Sequence, residues 1–150
     1  MKVQAQKQII TREPVDIEIE EVTLLSAKEY ANNQFIISSL GDDWWTRSPG
    51  FDSGYVTSVR SDEKRQDYGV NWPLAVRPAL RINSLRYGER FELFGFTWRV
   101  LSDGLALCEA AVGWSCFRVD KTADDANVYE KSDVKKWLDD WARKKGLVME

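Results

Sequence analysis

The order of elements in this 150-residue chain predicts an α+β fold. Three observations carry that reading. A strictly alternating strand lies near the N-terminus, a tight Asp-Gly hairpin in the middle, and an amphipathic helix at the C-terminal end. No repeating strand–helix–strand unit connects them. Residues 14–150 read as one α+β domain, long enough to bury about 70% of its unfolded surface. Residues 1–13, rich in Gln and Lys and without periodicity, read as a flexible N-terminal arm or an edge-strand extension.

Each element has a local cause. Val15, Ile17 and Ile19 alternate with Asp16, Glu18 and Glu20, the pattern of a half-buried strand with an acidic outer face. Ser26 with Glu29 forms a capping box, which opens a short helix through about Asn33. Trp44 to Arg47 reads as a strand stopped by Pro49-Gly50, and Tyr55 to Val59 as another. The charged segment Ser61 to Tyr68 reads as a solvent loop. Val76 to Ile82 reads as a strand in which Pro78, lacking an N–H, marks an edge, a bulge or a strand end. Phe91 to Phe94 and Thr97 to Leu101 flank Gly95. Asp103-Gly104 then turns the chain into Leu105 to Glu109, because Asp-Gly tolerates the positive φ that tight hairpins require. In that hairpin Phe96, Trp98 and Val100 share a face. Trp114 to Val119 reads as one more strand, and Thr122 to Tyr129 as an acidic loop. Ser132 is the N-cap of the last helix, where Val134, Trp137, Leu138 and Trp141 make one apolar stripe. Asp139 with Arg143 and Asp140 with Lys144 are spaced for ion pairing along it, and Gly146 suits a left-handed cap.

Composition excludes several chemistries. The chain has no histidine, so Ser–His–Asp and Cys–His nucleophilic arrangements and the commonest zinc ligand are absent. It carries no phosphate-binding glycine loop and no dinucleotide fingerprint, and no cofactor is expected. A net charge of −3 gives no basic surplus for direct nucleic-acid binding. No apolar run approaches the ~20 residues of a membrane span. Cys108 and Cys116, eight residues apart, are expected to be small hydrophobes in strands and not a redox or metal pair. Asp42-Asp43 and Asp120, Asp124 and Asp125 could supply oxygen ligands for calcium, but neither cluster matches an EF-hand spacing and acidic loops are usually solvated, so no metal is expected. Two cysteines without a signal segment point to cytoplasmic synthesis.

The least probable residues by composition are clustered. Trp44-Trp45-Thr46-Arg47-Ser48-Pro49-Gly50 is followed by Val76-Arg77-Pro78-Ala79-Leu80. Together they resemble the WWLRSPG…VRPAL signature of an uncharacterised domain common in gut Firmicutes and their prophages. Val22 to Ser26 with Glu29-Tyr30 match the segment that usually precedes the double tryptophan. Phe94-Gly95, Trp98-Arg99-Val100-Leu101 and Ser132 to Leu138 are similar to the other half, an FG…WRVL strand and an S…WL helix. In that family the WRVL half comes first, so the likeness across residues 22–141 is that of a circular permutation or of adjoining halves of neighbouring copies. Thr46 stands in place of the family's Leu, and Arg81 where tryptophan is frequent. The WW segment closing on a late VR strand is also similar to C-type-lectin-like domains, including formylglycine-generating-enzyme relatives. That resemblance implies a small twisted antiparallel sheet, two helices and long loops.

Arg47 and Arg77, each beside apolar strand residues, are expected to tie loops by bonding carbonyls or carboxylates, with recognition of an anionic ligand as the functional alternative. Trp44 and Trp45 point to opposite faces if extended, so one is expected in the core and the other over the opposite face or a partner site. The candidate binding residues are therefore Trp44, Trp45, Arg47 and Arg77 with Asp52, Tyr55 and Trp72. The presenting loops are 50–54, 61–72 and 120–128. The function expected is a noncatalytic binding module for a protein or small ligand, and the resemblance implies a phage, prophage or gut mobile-element setting. The first alternative is an intracellular, anti-CRISPR-like inhibitor of a host nucleic-acid-targeting defence system, with Asp16, Glu18 and Glu20 imitating phosphates. The second is an enzyme of unknown type.

Overall fold

The computed structural model describes residues 1–8, 13–83 and 85–147. The fold is α+β, with eleven strands, two α-helices and one 3₁₀ turn among those residues. The strands divide between a closed six-stranded barrel and an open five-stranded sheet.

The barrel contains β1 (Lys2–Gln8), β2 (Glu13–Thr23), β7 (Ala79–Ile82), β8 (Arg90–Leu93), β9 (Phe96–Val100) and β10 (Leu105–Cys108). All its pairings are antiparallel, in the order β1-β2-β7-β10-β9-β8, and the β1–β8 ladder closes it. The acidic alternation in β2 behaves as expected: Ile17 and Ile19 are buried while Asp16, Glu18 and Glu20 face solvent. Phe94-Gly95 and Asp103-Gly104 all take positive φ, so each two-residue pair turns its strand back tightly. Trp98 and Val100 point into the barrel with Phe91, and the Phe91 and Trp98 rings are stacked at 6.3 Å. The Trp98 indole N–H donates to the Leu93 carbonyl at 3.0 Å, which satisfies the one polar atom this large side chain takes inside.

The open sheet runs β11-β6-β3-β4-β5, made of β3 (Trp44–Pro49), β4 (Tyr55–Val59), β5 (Arg65–Gly69), β6 (Pro73–Val76) and β11 (Gly113–Cys116). Its pairs are antiparallel apart from β3 with β6, which are parallel. Helix α1 (Ala27–Asn33) starts at the expected capping box: Ser26 Oγ accepts from the Glu29 N–H, and Glu29 accepts from the Ser26 N–H. Helix α2 (Asp133–Lys144) is capped by Ser132, whose Oγ accepts from the Lys135 N–H, and Gly146 takes the left-handed conformation beyond its end. Its Val134 and Leu138 enter the core of the open sheet, while Ala142 packs on the barrel core. Asp140 pairs with both Lys144 and Arg143; Asp139 pairs with Lys135 and not with the anticipated Arg143.

Three expectations are corrected. Residues 2–8 are no flexible arm: β1 is hydrogen-bonded on both sides, with Ala5 inside the barrel and Met1 held by Glu18 and by the Ile19 carbonyl. Residues 9–12 of that stretch lie outside the described residues. Ser61 to Tyr68 is not a loop throughout, because β5 begins at Arg65 and forms the sheet edge beside β4. Charged side chains along an edge strand discourage a further strand from pairing there, so the polarity that hid β5 is itself an edge property. Val76 to Ile82 is not one strand. Its first part belongs to the open sheet and its second to the barrel, with Arg77-Pro78 as the crossing point. Of the roles foreseen for Pro78, the strand end is the one observed.

Candidate binding face

The two signature segments meet at that crossing. Trp44 and Trp45 project to opposite sides of β3, and both are buried, at 2% and 0% exposure. Trp44 joins Leu25, Tyr30, Val59, Ala75 and Ala79 on one side, with Tyr30 edge-on at 5.5 Å. Trp45 packs on the other side with Val56, Phe117 and Leu138, and its indole N–H donates to the Ser115 carbonyl at 2.7 Å. Of the two places expected for the second tryptophan, the opposite face of the sheet is the one observed, and neither tryptophan offers a surface to a partner. The open sheet is packed on both faces, and adjacent strand positions supply an apolar residue to each.

Arg47 reaches its partners through a break in the ladder. The β3–β4 register shifts between Trp45 and Pro49, and Thr46 bonds the Thr57 carbonyl through its hydroxyl. The Arg47 N–H then donates to the Leu25 carbonyl at 2.9 Å. Its guanidinium donates to the Leu24 carbonyl and grips both oxygens of Glu29, at 2.6 and 3.1 Å. Burial works against the Glu29 carboxylate, but the bonds from Arg47 and the Ser26 N–H outweigh it and lower its pKa. Burial likewise opposes the Arg47 charge, and Glu29 more than restores it. The pair ties β3 to α1, which is the structural role foreseen for this arginine.

Arg77, 1% exposed, lies over the Trp44 ring at 5.0 Å. Its Nε donates to the Cys108 carbonyl at 2.7 Å and its Nη2 to Ser38 Oγ at 3.2 Å. Burial lowers its pKa to about 10, so it remains a cation at neutral pH. Cys108 is buried in the barrel with its thiol pushed up to about 11 by desolvation. Cys116 sits on β11 and both thiols are free. The acids considered as oxygen ligands are engaged elsewhere: Asp43 accepts from Ser61 N–H and Tyr68 OH, and Asp125 pairs with Arg118 and Lys131. Among the described residues, no group of three or more His, Cys, Asp or Glu is arranged to hold a metal ion.

The remaining three expected residues, Asp52, Tyr55 and Trp72, come together on an exposed rim at one end of β4 and β5. Asp52 Oδ1 accepts from the Gly54 N–H, and the Asp52 carbonyl accepts from Asn127 Nδ2 at 3.0 Å. Phe51 stacks on Tyr55 at 4.6 Å. The other cover of Tyr55 is Lys121, whose Nζ lies 4.2 Å from the ring centre and donates to the Tyr55 hydroxyl at 3.2 Å. The lysine reaches that position because Gly54 and Gly69 have no side chains. A Cβ on Gly54 would come within 2.9 Å of Lys121 Cε, and one on Gly69 within 3.3 Å of its Nζ. Trp72 packs beside Tyr68 at 6.3 Å and leaves 58% of its surface exposed, while Phe51 leaves 75%. The frame beneath is hydrogen-bonded: Phe51 N–H to Asp67, Val70 N–H to the Gly54 carbonyl, and Arg118 N–H to the Val70 carbonyl.

Of the three loops expected to form a binding face, 50–54 and 120–128 converge on this rim with residues 69–72. Residues 61–64 do not. They cap the opposite end of β4, where the Glu63 carbonyl accepts from Tyr30 OH and the Ser61 N–H donates to Asp43. Phe51 and Lys121 were missed by the sequence reading. A Phe following Pro-Gly and a Lys within an acidic loop carry no periodic signal, and only the pair of glycines at 54 and 69 hints at a close approach.

A second concavity of about 480 Å³ lies between β2, β7 and α2, lined by Glu20, Glu21, Val22, Arg81, Tyr129, Lys135 and Asp139. Its charges pair internally, Arg81 with Glu21 at 3.3 Å and Lys135 with Asp139 at 2.8 Å. The buried Tyr129 hydroxyl has no hydrogen bond of ordinary geometry, and burial raises its pKa. No helix among the described residues is long and apolar enough to cross a membrane. Comparison with known proteins finds no matching family model, no matching curated protein and no matching solved structure.

Proposed function

We propose that this chain is a noncatalytic binding module whose contact surface is the rim formed by Phe51, Asp52, Tyr55, Trp72 and Lys121. The observation that carries the reading is the exposure of two large aromatics on a hydrogen-bonded frame. Aromatic side chains with an apolar body and a polar neighbour are enriched where proteins contact partners, because they bury much area with few rotamers to freeze. Tyr55 held between Phe51 and Lys121 is already ordered, so a ligand meeting it loses little further side-chain freedom. The resemblance to WWLRSPG…VRPAL domains supports a phage, prophage or mobile-element setting, the two cysteines support a cytoplasmic location, and the WW segment closing on a late VR strand supports a permuted C-type-lectin-like relationship for the fold.

The defence-inhibitor reading receives support from one arrangement: Asp16, Glu18 and Glu20 share the solvent face of β2. Lys2 stands directly opposite Glu18, and the N-terminal ammonium contacts it at 3.0 Å, which dilutes the negative surface. The rim is therefore the favoured surface.

Site-specific photo-crosslinking distinguishes the two. A benzophenone amino acid placed at 51 or 72 is expected to trap a partner that the same probe at 18 does not. That partner, once purified, should bind Trp72→Ala at least about tenfold more weakly, the loss of one hot-spot aromatic. Trapping from position 18 alone would replace this proposal with the inhibitor reading.

A further inference from the structure

Arg77 is the one charged side chain among the described residues that is fully buried, and its hydrogen bonding is incomplete. Nε and Nη2 have a carbonyl and a hydroxyl, whereas Nη1 has no partner. No carboxylate of the described residues pairs with it. Glu109, which follows the Cys108 whose carbonyl Arg77 bonds, is held by Arg90 at 2.8 Å and Arg99 at 3.4 Å. A guanidinium presents five N–H donors, and a buried cation without a counter-charge is among the costlier arrangements a protein can hold. The Trp44 ring face offers only partial compensation.

Beside this guanidinium is a cavity of about 10 Å³, lined by Arg77, Ser38, Tyr30, Trp44, Ile37 and Val59, with the more exposed Arg60 and Glu63 completing its wall. Ser38 Oγ accepts from Arg77, which leaves its own hydrogen free to donate. The Tyr30 hydroxyl donates to the Glu63 carbonyl and so has no hydrogen to offer the cavity. The space is about that of one water, so a chloride, which is somewhat larger, is seated only when the Ile37 and Val59 side chains yield slightly. A phosphate, sulfate or carboxylate is too large. A water would satisfy Nη1 but add no negative charge.

We infer that the Arg77 cavity is a binding site for one monatomic halide, chloride under ordinary conditions, held by Arg77 Nη1 and the Ser38 hydroxyl against the apolar walls of Ile37 and Val59. The ion would complete the junction between the two signature segments, and this inference is independent of the rim and its partner. Apolar walls favour a weakly hydrated halide, so bromide should replace chloride readily and fluoride poorly.

Two measurements test this. Crystals of the wild-type protein grown in bromide should show an anomalous peak at hydrogen-bond distance from Arg77 Nη1. In thermal melts at constant ionic strength, exchanging fluoride for bromide changes stability through general salt effects as well as through the site. The Arg77→Met variant, of similar volume and uncharged, isolates the general part. Relative to it, the wild type should gain about 3–6 °C in Tm at a bromide concentration some tenfold above the dissociation constant. Ser38→Ala should retain the fold and lose most of that gain. A cavity occupied by water alone in the bromide crystals overturns the inference, as does the same halide response in wild type and Ser38→Ala. If Arg77→Met fails to fold, the crystal measurement decides by itself.

Discussion

The seam made by Trp44–Pro49 with Val76–Leu80 and the rim made by Phe51–Tyr55, Asn71–Trp72 and Lys121 are separated in the chain by a single residue, Gly50, yet they are opposites. The seam is compositionally conspicuous and buried, with tryptophans on both faces of one strand and two arginines tying it to neighbouring elements. The rim is compositionally plain and exposed, assembled from three distant stretches over a pair of glycines. Rare residues at close spacing mark where the fold is fastened. The surface free to contact something else is built from residues that attract no attention individually.

Substitutions should separate the two regions by what they damage. Trp45→Ala should cost about 3–5 kcal/mol, as it leaves a cavity among Val56, Phe117 and Leu138 and orphans the Ser115 carbonyl; urea unfolding measures it. Arg47→Ala should cost about 2–3 kcal/mol, because the Leu24 carbonyl and Glu29 lose charge-assisted bonds. Gly113→Ala should cost about 1–3 kcal/mol, since its Cβ would fall 2.4 Å from the Trp137 ring and force it to move. At the rim, Trp72→Ala and Phe51→Ala should leave stability within about 0.5 kcal/mol of wild type while abolishing partner binding. A rim variant that melts early would show that the rim fastens the fold as well.

The seam also predicts a pH dependence of stability. Glu29 has a lowered pKa in the folded protein against an ordinary value of 4.5. The stability it contributes is therefore fully present above that ordinary value and is lost as the pH falls through the lower, folded-state value. Wild type should lose stability in this acid window, and Glu29→Gln should flatten that part of the profile in pH-dependent unfolding.

Where the sequence pattern had one buried and one wet face, the elements were legible. Glu13–Thr23, the Phe96–Val100 hairpin and Asp133–Lys144 all follow from alternation, Asp-Gly chemistry and a capped apolar stripe. Lys2–Gln8 stayed undecided between an arm and an edge strand because its apolar residues on the barrel core are Val3 and Ala5, two small side chains that do not rise above a polar background. Val76–Ile82 misled in the other direction. Ala79 and Leu80 are buried on opposite faces, so the apolar run continues through a change of sheet and periodicity records no break. The candidate rim was half legible. Its loops could be placed as turns, but nothing local says that Lys121 lies on Tyr55, because that contact depends on sheet order.

The crossing at Arg77-Pro78 has a consequence for how the molecule comes apart. Consecutive residues there serve different sheets: the Val76 carbonyl accepts from the Val112 N–H, and the Pro78 carbonyl accepts from the Cys108 N–H. Prising the barrel from the open sheet would leave each of these bonds inside its own sheet, but it would have to pull Arg77 out of the interior, away from the Cys108 carbonyl and the Trp44 ring. The amide protons of Cys108 and Val112 should accordingly report the opening of the barrel and of the open sheet separately, while those at the β5 edge exchange through smaller fluctuations.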